Sequence, residues 1–202
     1  MKAFFLTAVA LLFAGAAFTQ PLTKADRKAA IKYINWSNKE LKKSLKGLTA
    51  EQLNWKPGED RWSPQDCMYH IAFSEGALRG ALDQALAAPA DPAAKAALEV
   101  TDEQVKMMIT DRSNPVKTAQ PFEPQNTGFK SLEAAKAAFK ERRAMLIDLV
   151  KKADPDMRNH IVTLPFGKLD AYQFVLFIAG HTNRHTLQIE EVKASPGYPV
   201  GK

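Results

Sequence analysis

Toward the C-terminal end of the chain, Phe174, Ile178, His181, His185 and Ile189 follow one another at spacings of three and four. That period puts all five on one stripe of an α-helix, and an otherwise apolar stripe faces a core. His181 and His185 lie one turn apart and therefore point the same way. An imidazole on such a face is either a core group satisfied by hydrogen bonds or a ligand. Two at this spacing are a standard presentation to one metal ion. Which outcome applies depends on what the rest of the chain packs against this helix.

The chain has few other periodic segments. Thr23 to Leu48 carries an apolar stripe of Ala30, Ile34, Leu41, Leu45 and Leu48, weakened at its end by Gly47. Thr49-Ala50-Glu51-Gln52 is a capping-box pattern opening a short helical turn, which Pro57-Gly58 ends. Ser63-Pro64-Gln65-Asp66 is a helix start: a capping Ser, a Pro suited to the first position, and an acid at the positive end of the helix dipole. This second helix is expected to reach Leu86, with Cys67, His70, Phe73 or Ser74, Ala77 and Ala81 facing inward. Residues 87–98 read as a connection, Thr101 to Asp111 as a short capped helix, and residues 112–130, with Pro115, Pro121, Pro124 and Gly128, as irregular. Their position and length make residues 87–130 the candidate lid of any site in the bundle.

Ser131 opens a third long helix, whose apolar members include Leu132, Ala135, Phe139, Met145, Leu146, Leu149 and Val150. The run Ile161-Val162-Thr163-Leu164 has strand character but no evident partner. Asp170 caps the last helix, which ends near Ala194 before Ser195-Pro196-Gly197. Four long amphipathic helices without alternating strands point to an all-α four-helix bundle with short extra helices in its connections.

Residues 1–19 stand apart. A basic start at Lys2 is followed by an uncharged apolar run to Phe18, with small residues ahead of Gln20. This is the pattern of a secretory signal peptide, too short for a stable span. The expectation is an exported, periplasmic or secreted chain, with one domain over residues 20–202 and no stable membrane insertion after cleavage. Cys67 is the single cysteine, so no internal disulfide forms. The net charge of +6 is modest, and its densest cluster, Lys39, Lys42, Lys43 and Lys46, alternates with leucines as the solvated face of a helix does. No nucleic-acid module accompanies it, and no nucleic-acid partner is expected.

Of the four histidines, His70 joins the pair at 181 and 185 on inward positions of long helices, while His160 falls in a polar loop. One divalent ion would satisfy three buried imidazoles at once and keep an open coordination position, as zinc, nickel or iron(II) does with three nitrogen ligands. From spacing alone, this site and three separately bonded core imidazoles remain open alternatives. The His-Thr-Asn-Arg-His segment lacks the Glu of a zinc-protease helix, and the Glu-x-x-His pairs of di-iron bundles are absent from the long helices. Cys67, one turn before His70, is either a fourth ligand or a small core residue. No phosphate loop or serine nucleophile elbow occurs, and no residue stands out as a general base.

Taken together, Trp62-Ser63-Pro64, the segment His70 to Glu75, Pro165-Phe166-Gly167, Leu169 to Gln173, and His181-x-x-x-His185 followed by Gln188 to Val192 resemble the DinB-like superfamily over nearly the whole of residues 20–202. The resemblance implies an up-down-down-up bundle with a divalent metal near one end of its core, held by His70, His181 and His185. It further implies roles for Glu75, Arg184 and Gln188, as outer contacts to the metal site or as a polar contact between helices. Activities known in the family include thiol-dependent transfer and isomerisation. The functional expectation is a metal-dependent transferase or hydrolase acting on a small molecule, with a homodimer as the expected assembly. The alternative is a non-catalytic metal-binding or small-molecule-binding bundle.

Overall fold

A computed structural model describes residues 21–114 and 116–200. The segment read as a signal peptide lies outside the described residues. Seven α-helices and a hairpin follow in the order α1 (Lys24–Leu45), α2 (Ala50–Asn54), α3 (Pro64–Ala87), α4 (Pro92–Ala96), α5 (Asp102–Thr110), α6 (Leu132–Lys152), β1 (Ile161–Leu164), β2 (Gly167–Asp170) and α7 (Ala171–Lys193). Short 3₁₀ turns at Gln120–Phe122, Pro124–Asn126 and Pro155–Asn159 punctuate the connections. Among the described residues, no helix is long and apolar enough to cross a membrane.

The helix starts are set locally. Thr23, Thr49, Ser63, Thr101 and Asp170 each accept a hydrogen bond from the backbone N–H three residues on, and the side chain at that position accepts one from the backbone N–H of the cap. Each such cap contributes about 1 kcal/mol by satisfying N–H groups that have no partner within the helix.

Cross-helix contacts give the direction of each helix. Tyr172 donates to the Asp26 carbonyl and Ser44 to Glu190, so α1 and α7 run parallel. His70 meets His181 and His185 while the Ala85 carbonyl meets His160, so α3 runs against α7. Arg27 reaches Val150 and Ala153, and Ser37 meets Arg143, so α6 runs against α1. The result is the expected up-down-down-up bundle, in which α1 and α3 each touch both α6 and α7. The lysines of α1 are exposed, as their spacing predicts.

Two expectations need correction. The segment Ile161–Leu164 does have a partner: it pairs antiparallel with β2, with Ile161 opposite Asp170 and Leu164 opposite Gly167. Gly167, at φ +143, makes the two-residue reversal possible. The inward list for α3 was also too generous, since Ala77 is exposed, and the apolar Met145 of α6 is exposed as well. Both helices instead bury a charged group, Glu75 on α3 and Arg143 on α6.

α7 is the central element. From Ala171 to Gly180 it is buried on every side, because α5 covers the face that α1 and α3 leave free. Gly180 permits this approach: a Cβ there would lie 2.3 Å from Ile109 Cγ2. The β1–β2 hairpin fixes the start of α7. The Ala171 N–H bonds the His160 carbonyl at 2.8 Å, and the buried Asp170 cap pairs with Lys95 at 2.7 Å and Arg158 at 3.3 Å. With its start and phase pinned, α7 turns its histidines toward α3.

Candidate metal centre

His70, in the second turn of α3, faces His181 and His185 on α7, and ligand atoms of the three rings lie within 4.8 Å of one another. The Nε2 atoms of His70 and His185 each lie 3.2 Å from His181 Nε2. His70 and His185 are buried, and His181 is the most exposed of the three. Trp62 forms one wall, its ring 4.8 Å from that of His70 and 5.7 Å from that of His185. Phe177 stacks on His181 from the preceding turn.

The outer nitrogens decide what the inner ones can do. His70 Nδ1 lies 2.7 Å from the Phe122 carbonyl, and His185 Nδ1 lies 2.9 Å from Gln188 Oε1. Both oxygens only accept, so each Nδ1 carries the proton and each neutral ring turns an Nε2 lone pair inward. A proton on His181 Nε2 satisfies one of its two neighbours and leaves the other to a weaker contact, which for His70 is the Ser74 hydroxyl at 3.4 Å. A cation at the centre satisfies all three. The 3.2 Å spacings match two nitrogens bound about 2.0–2.1 Å from one tetrahedral ion, which sit roughly 3.3 Å apart.

Electrostatics favour the neutral rings that a metal requires. Burial lowers the pKa of His70 below the ordinary histidine range, against the Phe122 hydrogen bond. Burial lowers His181 and His185 further, with the neighbouring imidazoles and, for His181, Arg184 and Arg143 adding to it.

The other candidates separate clearly. Cys67 is buried among Leu41, Leu45, Met68 and Ile189 and takes no part in the cluster, and burial pushes its thiol pKa up. His160 bonds the Ala85 carbonyl at the other end of the bundle. Gln188 contacts His185 at 2.9 Å, the first of the two roles that the resemblance implies for it. Arg184 instead holds the connection after α5, donating to the carbonyls of Ile109, Asp111 and Asn114. Glu75 does bridge helices, but its partner is neither Arg184 nor Gln188. It is Arg143 of α6, at 2.8 Å. Three groups escaped the sequence reading: Arg143, Arg112, which donates to Gln188 Oε1 at 3.5 Å, and the Phe122 carbonyl. Arg143 had a signal, since it falls on the stripe of Ala135, Phe139, Leu146 and Val150. A backbone carbonyl has none.

Comparison with known proteins agrees with this picture. The sequence model of the DinB superfamily matches residues 33–189. The uncharacterized protein YuaE of Bacillus subtilis (strain 168) is 24% identical over 160 residues, covering 79% of this chain and 94% of YuaE. Among solved structures, YfiT from Bacillus subtilis, a probable metal-dependent hydrolase with an unusual four-helix bundle topology, superimposes with a TM-score of 0.55 at 12% identity. The match covers 90% of this chain and 93% of YfiT.

Proposed function

The chain belongs to the DinB superfamily, and from that premise we propose that it is a metal-dependent enzyme of the hydrolase or thiol-transferase type, with His70, His181 and His185 as the ligands of one divalent ion. The observation that carries this reading is the convergence of three Nε2 atoms, two of them fixed as lone-pair donors by hydrogen bonds on the far side of their rings. A bound divalent ion of the zinc, nickel or iron(II) kind supplies Lewis acidity and makes a water or thiol a nucleophile near neutral pH.

The chain's own residues provide the rest. Trp62 and Phe177 shield the imidazoles, and Ser74 Oγ, 3.4 Å from His70 Nε2, is a hydroxyl at the edge of the centre. The partly exposed His181 side is the route by which a small-molecule substrate reaches the ion. The hydrolase arm is supported by the likeness to YfiT. The thiol arm rests on family resemblance, and export, which the N-terminal sequence suggests, counts against a cytosolic thiol. Export is part of the proposal and is tested by the N-terminal sequence of the protein recovered outside the cytoplasm.

The deciding experiment is metal analysis of tag-free protein. About one equivalent of a divalent metal is expected, lost in His181→Ala and kept in His160→Ala. Wild-type protein without affinity for zinc, nickel, iron(II) or cobalt would overturn the metal assignment. Ester and amide hydrolysis and thiol conjugation, each against His185→Ala, then separate the two activities from each other and from a non-catalytic binder.

A further inference from the structure

Two of the three imidazoles at the centre are oriented by the connection between α5 and α6. Phe122, near its middle, supplies the carbonyl that accepts a hydrogen bond from His70 Nδ1–H. Arg112, at its start, forms a two-pronged ion pair with Glu191 on α7, Nε to Oε1 and Nη2 to Oε2 both at 2.6 Å, and its Nη1 points to Gln188 Oε1 at 3.5 Å. The same oxygen accepts from His185 Nδ1 at 2.9 Å.

This arrangement removes an ambiguity in Gln188. A primary amide can turn either its oxygen or its NH₂ toward a neighbour. Facing the NH₂, His185 would have to accept at Nδ1 and would carry its proton at Nε2, where it could not bind a cation. Arg112 prevents that orientation. A guanidinium only donates, so an NH₂ turned toward it would set donor against donor. With Arg112 held by Glu191, the Gln188 oxygen is directed at both arginine and histidine.

We propose that Arg112 is a positioning residue for the centre: by fixing the amide of Gln188 it selects the His185 tautomer whose Nε2 binds metal. The proposal rests on the three-histidine reading above and adds to it a residue remote from the ion. Arg184 assists by tying the same connection to α7 through backbone carbonyls. The device makes the strength of metal binding depend on the docking of residues 111–114.

Cobalt(II) titration of the full chain, followed by its visible absorption, tests this. Arg112→Ala is expected to weaken Co²⁺ binding about tenfold, in the range found for outer contacts to metal-binding histidines. In a Gln188→Glu background the same substitution is expected to cost less than about twofold, because a carboxylate only accepts and needs no arginine to orient it. That difference between backgrounds is not produced by a general loss of stability. Arg112→Gln, which keeps the bulk of the side chain, repeats the comparison if the alanine variant folds poorly. An equal loss in both backgrounds, or no loss in either, while His181→Ala abolishes binding, overturns the role of Arg112 and leaves the metal centre standing. Absence of Co²⁺ binding by the wild-type chain overturns both.

Discussion

Glu75 and Arg143 meet at 2.8 Å in the middle of the bundle, with side-chain exposures of 3% and 2%. The contact is skewed from hydrogen-bond alignment, and Arg143 completes its shell with Thr182 Oγ1, the Ser37 hydroxyl at 3.3 Å and the Ile178 carbonyl at 3.4 Å. Burial pushes the Glu75 carboxyl up and the Arg143 guanidinium down, each toward its neutral form, and each partner's charge opposes that push. A pair in this situation is costly to break singly and cheap to remove whole. Glu75→Gln and Arg143→Met are each expected to lose about 3–5 kcal/mol in urea unfolding. Glu75→Gln combined with Arg143→Met is expected to lose less than the sum of the two single variants. Additive losses would mean that the two charges do not depend on each other.

Gly180 makes a second prediction about packing. An alanine Cβ there would meet Ile109 Cγ2 at 2.3 Å, and the atom belongs to a β-branched side chain with little freedom to move aside. Gly180→Ala is expected to push α5 off α7 and to cost about 1–3 kcal/mol, despite the higher helix propensity of alanine. Ile109→Ala removes the obstructing methyl, so the double variant should be less destabilised than the sum of the singles in thermal melts. Gly180→Ala with wild-type stability would show that α5 does not hold this close packing.

Gly180 and Arg143 also show how far the sequence could be read. The helices, their caps and the three histidines were legible because each depends on local period or on short-range hydrogen bonding. Asp170 could be recognised as a cap, and it is one. The pairing of Ile161–Leu164 was not legible, since a four-residue strand carries too short a pattern to announce its mate across Pro165 and Phe166. The charge of Glu75 predicts a partner without saying which, and that partner lies on α6. Arg143 on an apolar stripe and a glycine inside a helix were both visible as exceptions to the pattern. Such exceptions mark polar cores and close helix contacts. The docking of the connection after α5 depends on backbone carbonyls and on one arginine, and no periodicity encodes it.

Cys67 yields a third prediction. It is fully buried in an apolar cluster, and burial raises its thiol pKa far from the reactive range. In the folded protein it is expected to resist iodoacetamide at neutral pH and to react once urea unfolds the chain. Cys67→Ala should keep the full metal content, at a stability cost of about 1 kcal/mol for the lost sulfur contacts. Loss of metal in this variant would bring the thiol back as a participant in the centre.

The clamp between Arg112 and Glu191 gives a pH dependence whose sign is fixed. Hydrogen bonds from Arg112 hold the Glu191 carboxyl below its ordinary value, against partial burial, with the charges of Arg112, Arg61 and Arg184 helping. A folded-state pKa below the unfolded one stabilises the docked connection above the ordinary glutamate range, and the contribution disappears as the pH falls through the depressed value. The window therefore lies below about pH 4.3. In metal-free protein, where release of an ion cannot interfere, the Arg112 Nε–H resonance is expected to stay sharp and shifted at pH 6. It should move to its free position as the solution is acidified below that range. Glu191→Gln should show the free position throughout. A resonance that does not respond to acid in the wild-type chain, or a variant that still reports a docked arginine, would mean that Glu191 is not what holds Arg112 against Gln188.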